Sequence, residues 1–139
     1  MTLYFSKEKV VAQRASWVVA TAVMQTPELI DPFLKKLIQY LNQDGHHHAV
    51  LRNGVKVLEF ITIPVANSGQ AVSLFFRLLA DPNQPIAIRC YAMTVLSKIA
   101  VEEPDLKQEI VLIIKDQLPY ASAGFRSRAK RCLKTLEKL

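Results

Sequence analysis

The fold is decided by the stretch DPNQPIAIRCYAMTVL, which spans residues 81–96. Its arginine opens an apolar helical stretch, and an arginine in the same role returns every 37 or 38 residues along the chain. The recurring arginines are Arg14, Arg52, Arg89 and Arg126. Periods of this length are typical of stacked helical repeats, because one repeat cannot bury its apolar face alone. The spacing therefore predicts a helical solenoid.

The positions that follow each arginine also recur in register. Three residues later come Trp17, Val55, Ala92 and Ala129, six later come Ala20, Leu58, Val95 and Cys132, and ten later come Met24, Thr62, Ile99 and Leu136. All but one of these residues are of the buried type, the exception being the threonine. We expect all three apolar positions to face the core on the first helix of each repeat.

The apolar periodicity and the turn residues predict seven helices and no strands. The helices are expected over residues 7–25, 32–43, 47–63, 70–80, 86–101, 104–118 and 123–139. Asp31 is expected to cap the second helix, and the residues from Pro64 to Gly69 are expected to form a turn. The predicted architecture is all-α, with three and a half helical hairpins in a single domain covering residues 1–139.

Gly54 falls inside the third predicted helix, where glycine costs about 1 kcal/mol relative to alanine. We expect it to be there because two helices approach closely at this point.

Charge is concentrated at one end of the chain. Residues 1–120 contain 12 Lys and Arg against 11 Asp and Glu, whereas residues 121–139 contain six against one. Apolar runs such as residues 15–24 are far shorter than the ~20 residues that span a bilayer, and residues 1–7 do not resemble a secretion signal. We therefore expect a soluble, cytoplasmic protein in which Cys90 and Cys132 are buried thiols.

Residues 81–96 resemble the core of a HEAT-type repeat, a family related to armadillo repeats: Asp-Pro, a short spacer, an apolar residue before Arg, then Ala and Leu. The other repeats match more loosely, and together the resemblance covers almost the whole chain. It implies an α-solenoid, wound as a right-handed superhelix. The Asp and Arg positions, including Asp44 and Asp81, would join successive repeats. It also implies a scaffold that holds protein partners, with nucleic-acid binding and enzyme activity as minority functions of the family.

The second helices of the hairpins supply the main candidate site. When their apolar stripes are superposed, matching outward positions hold Lys35, Phe76 and Lys115, with Arg77 and Leu112 nearby. An apolar centre with a charged rim is typical of protein interfaces. We expect these five residues to bind a protein partner.

Two alternatives rest on other segments. The last helix carries five basic residues, which could bind phosphates of a nucleic acid: Arg128, Lys130, Arg131, Lys134 and Lys138. Exposed apolar residues at Leu3-Tyr4-Phe5 or beside Leu139 could instead be buried in a homodimer.

Catalytic and cofactor motifs do not emerge from the sequence. The chain has four glycines and none of the phosphate-binding, nucleophile or paired metal-ligand motifs. The run His46-His47-His48 is interpreted as an exposed helix start, because adjacent histidines on a helix cannot all face one ion. We expect a non-enzymatic protein with no catalytic residues, no metal and no cofactor.

Overall fold

The computed structural model describes residues 1–139 and contains seven α-helices and no strand. The helices are α1 (Lys9–Gln25), α2 (Leu34–Leu41), α3 (His48–Phe60), α4 (Val65–Ala80), α5 (Ile86–Glu102), α6 (Lys107–Gln117) and α7 (Ala123–Glu137). Short 3₁₀ segments cover Pro27–Phe33, Pro104–Leu106 and Leu118–Tyr120. The predicted all-α class and the number of helices are confirmed.

The predicted starts of α2, α4 and α6 are wrong, with a proline involved in each, and α3 ends at Phe60 and not at residue 63. Asp31 does not cap α2, because the chain around Pro32 forms the 3₁₀ segment and α2 begins only at Leu34. The segment from Pro64 to Gly69 is not a turn, because α4 starts at once after the proline. Pro64 directly precedes the first residue of α4, and the Asn-Ser-Gly sequence behind it, which favours a turn, lies inside the helix.

The chain divides into two compact units, Met1–Gln70 and Ala71–Leu139. In the first unit α1 packs along α3. Their interface contains a buried polar pair, in which Asn53 Nδ2 donates to Ser16 Oγ over 2.9 Å. Because both groups are satisfied within the interface, the pair fixes the register of the two helices.

The N-terminal residues complete the core of this unit. The buried Tyr4 hydroxyl donates a 2.7 Å hydrogen bond to Val50 O, and burial, with a smaller contribution from Tyr40, raises the pKa of this phenol. The residue is close to Gly54, where an added Cβ would lie 2.4 Å from the phenol oxygen and 2.8 Å from Leu41 Cδ1. The close approach predicted at this glycine is confirmed.

In the second unit α5 packs along α7 and also contacts α6. Ser122 begins α7 by accepting a hydrogen bond from Phe125 N at 3.3 Å. Cys90 and Cys132 are both buried, as predicted.

The repeat register is correct for three of the four first helices. Val55, Ala92 and Ala129, which follow the second, third and fourth arginines by three residues, are fully buried. Trp17 at the same register is 65% exposed, and Met24 is also exposed, so the prediction that both are core residues is wrong. Ala20, the other predicted core position of α1, is buried, but the buried side of the helix continues through Ala12, Ser16 and Val23 and not through Trp17 and Met24.

Candidate partner-binding site

The second helices of the hairpins in the second unit, Ala71–Leu139, are α6 and the part of α4 that lies within the unit. A side-chain bridge joins the C-terminal ends of these two helices. Gln117 Nε2 donates a 2.7 Å hydrogen bond to Leu79 O at the end of α4. The same amide accepts from Arg89 on α5, whose guanidinium lies 4.7 Å from the centre of the Phe125 ring. Gln117 therefore ties α4, α5 and α6 together and holds α6 in place.

Each of these two helices has one buried side and one exposed side. On α4 the buried side consists of Ala71, Leu74, Phe75, Leu78 and Leu79, and on α6 it is formed by Ile110 and Ile114. Leu112 is 63% exposed in the middle of α6, and Lys115, one turn later, is exposed too. Phe76 is half-buried and Arg77 exposed on α4.

Four of the five predicted partner-binding residues thus lie in the second unit, two on each second helix. The fifth, Lys35, is an exposed residue of α2 in the first unit. Leu112 projects into water with Lys115 and Asp116 beside it on α6, and Arg77 is an exposed cation on α4. This composition suits a partner surface that is apolar at its centre and charged at its edge.

The basic residues of α7 fall into two groups. Lys130, Arg131, Lys134 and Lys138 are exposed, and at 3.6 residues per turn they fit within about 100° of the helix surface. Arg128 is half-buried and donates to Thr94 Oγ1 on α5 over 2.6 Å. Four of the five predicted phosphate-binding residues therefore form one stripe, and the fifth is bound to the neighbouring helix.

The recurring arginines do not share one environment. Arg14 and Arg52 are exposed, and Arg126 donates from Nε to Ala121 O at 3.1 Å. Arg89 is the half-buried partner of Gln117 described above.

The histidine run begins α3. His47 Nδ1 accepts a 3.0 Å hydrogen bond from Ala49 N, which gives the helix a side-chain cap. No group of three or more His, Cys, Asp or Glu side chains is placed to hold a metal ion. A small cavity of about 220 Å³ lies beside this cap, lined by Lys7, Lys9, Tyr40 and others, and burial raises the pKa of the Tyr40 phenol.

Sequence reasoning missed the surface of α1. A groove of about 490 Å³ lies between α1 and the first residues of the chain, with Leu3, Val11 and Val18 among its lining residues. Leu3 is exposed as predicted for the Leu3-Tyr4-Phe5 segment, whereas Tyr4 is buried, which corrects that prediction for the tyrosine. The available signal was the composition of α1, which is apolar on every side.

A family model described as a HEAT repeat domain matches residues 1–136 of the chain. Comparisons with curated proteins and with solved structures give no match. None of the helices combines the length and the apolar character that crossing a membrane requires.

Proposed function

Because the chain belongs to the HEAT repeat family, whose members generally mediate protein interactions, we propose that it is a non-enzymatic scaffold module. In this proposal one protein partner binds the second-helix face, which we define as Phe76 and Arg77 on α4 with Leu112 and Lys115 on α6, while Lys35 stays a separate predicted contact in the first unit. The observation that carries it is the exposure of Leu112 in the middle of a helix in which Ile110 and Ile114 are buried and Val111 and Ile113 are half-buried.

The exposure of Leu112 has an energetic cost that a covering partner would remove. Leaving it in water forgoes the ~1.5–3 kcal/mol that complete burial of a leucine side chain provides. Its neighbours Lys115 and Asp116 are exposed charges, so a partner that covers the leucine also meets a polar rim. An apolar anchor surrounded by charge is the arrangement in which a few residues supply most of the binding energy.

Site-specific photocrosslinking in cells tests the proposal. A photoreactive amino acid at position 112 is compared with the same amino acid at Val101, an exposed apolar residue at the end of α5. We expect a discrete protein adduct from position 112 that Lys115→Glu weakens, and no such adduct from position 101. Equal labelling from both positions, or none from 112, would refute the assignment of this face.

The stripe of four exposed cations on α7 favours a second function, nucleic-acid binding. Four phosphate contacts would make affinity for duplex DNA fall about a hundredfold between 50 and 200 mM salt. Anisotropy of labelled DNA and RNA measures this, and Lys130→Gln combined with Lys134→Gln should halve the slope against log salt. Absence of binding at 50 mM salt would remove this alternative.

We place this function in the cytoplasm. The support is that Cys90 and Cys132 are both buried side chains within helices, which suits thiols of a reducing compartment. Microscopy of a fluorescent fusion in the cell of origin tests the location.

A further inference from the structure

Helix α1 leaves large apolar side chains in water on the side opposite its packing contacts. Trp17 is 65% exposed, Val10 is 59% and Val18 is 57%, and Met24 lies on the same side. A helix with apolar residues all round is normally covered all round. The α1 face, defined by Val10, Trp17, Val18 and Met24 together with Leu3, is therefore suited to a second covering surface.

Residues at the same register of another repeat show in which surroundings side chains of this kind lie elsewhere in the chain. Counting 75 residues along the chain, Trp17, Val18 and Met24 of α1 correspond to three buried residues of α5, namely Ala92, Met93 and Ile99. The α1 face thus has the composition of a covered repeat helix.

The final helix is different at the same register. Val18 corresponds there to Lys130, and Ala22 corresponds to Lys134, both exposed. At this register α7 therefore exposes lysines to water, whereas α1 exposes large apolar side chains.

The amount of apolar surface is suited to an interface. The five side chains expose on the order of 500 Å² per chain, more than scattered exposed residues account for and most of the ~800 Å² that each partner buries in a standard interface. Tryptophan and methionine are enriched at the centres of such interfaces.

We propose that the α1 face binds a second copy of the chain, with the two α1 helices antiparallel across a twofold axis near Trp17. The charges of the helix favour this arrangement. Lys9 and Arg14 are the only charged residues within Lys9–Gln25. In a parallel pair each cation would lie beside the same residue of the other copy. In the antiparallel pair the two Arg14 positions are separated by about 9 Å along the helix axis.

The ends of the helices are complementary in the same arrangement. Antiparallel pairing about Trp17 sets Lys7, just before α1, against the start of the 3₁₀ segment of the other copy, where Glu28 is exposed. The twofold axis repeats this contact at the other end of the interface. Opposed helix dipoles favour the antiparallel pair as well. The twofold arrangement thus brings opposite charges together at both ends of the proposed interface.

Trp17 is the only tryptophan in the chain, so its fluorescence reports directly on the proposed interface. The experiment combines sedimentation equilibrium with tryptophan emission on the full chain, from about 1 µM to about 100 µM. We expect the mass to approach twice that of the chain as concentration rises, with the emission shifting to shorter wavelength over the same range.

Two matched variants locate the interface. Val18→Lys introduces the residue type that α7 carries at this register and should give a monomer at every concentration, with the circular dichroism spectrum of the parent. Leu112→Lys changes an equally exposed residue of the second-helix face and should leave the dimer intact. A parent chain that stays monomeric with unshifted emission overturns the proposal. So does a dimer that only Leu112→Lys disrupts.

Discussion

Replacing Gly54 by alanine is expected to destabilise the protein, although alanine is the better helix former. An alanine Cβ at this position would lie 2.4 Å from the Tyr4 hydroxyl oxygen and within 2.9 Å of both Leu41 methyl carbons. Carbon atoms do not approach that closely, so the tyrosine or the helix must move. The first consequence is loss of the hydrogen bond from Tyr4 to Val50 O.

The magnitude follows from three opposing effects. Overpacking of a core costs about 1–3 kcal/mol, and the lost hydrogen bond costs about 1 kcal/mol. The higher helix propensity of alanine returns about 1 kcal/mol. We therefore expect Gly54→Ala to lower the free energy of unfolding by about 1–3 kcal/mol, which shifts Tm downward by several degrees.

Denaturant unfolding followed by circular dichroism measures this change, and Gly69→Ala is the matched control. Gly69 is also inside a helix, α4, but no atom lies within 4 Å of its added Cβ. This control should be stabilising by up to about 1 kcal/mol. In a Tyr4→Phe background Gly54→Ala should cost about 1 kcal/mol less, because the hydroxyl is gone. If Gly54→Ala proves as stable as the parent, the steric argument fails.

Three further predictions concern individual polar contacts. Burial holds the pKa of Tyr4 above the ~10 of an unfolded chain, so the contribution of Tyr4 to the free energy of unfolding is complete below pH 10. Above pH 10 it falls by up to about 1.4 kcal/mol per pH unit, and Tyr4→Phe should flatten that decline in alkaline melting curves. Gln117→Ala removes the hydrogen bond that Gln117 accepts from Arg89 and the one it donates to Leu79 O, so it should lower the free energy of unfolding in urea by about 1–3 kcal/mol. An unchanged midpoint would show that the bridge is not stabilising. Arg128→Ala, which loses its bond to Thr94, should cost about 1 kcal/mol, while Lys130→Ala should stay within about 0.5 kcal/mol of the parent in the same measurement.

The sequence was sufficient for features that local chemistry determines. The arginine period predicts the helical repeats, and Gly54 in a helical context predicts the close helix approach that the structure shows. The start of α4 was misplaced because Pro64 can end one element or begin the next, and only tertiary packing decides between them.

The periodicity of the sequence could not predict which side of α1 is buried. Trp17 has the register of a core residue, but a repeat position is buried only where a neighbouring helix is present to cover it. For the candidate binding residues, too, the periodicity predicts some positions correctly and others not. The exposure of Leu112 and Lys115 followed from the superposed stripes, whereas the attachment of Arg128 to α5 depends on how α7 packs.

The Gln117 bridge has a consequence for the motions of the second unit. Its amide joins α4 to α5, and through Arg89 it is linked to the ring of Phe125 at the start of α7. Opening any one of these helices therefore breaks contacts of the others, so the four should exchange their amide hydrogens as one cooperative group. A partner that holds α6 would slow exchange in α7 without touching it.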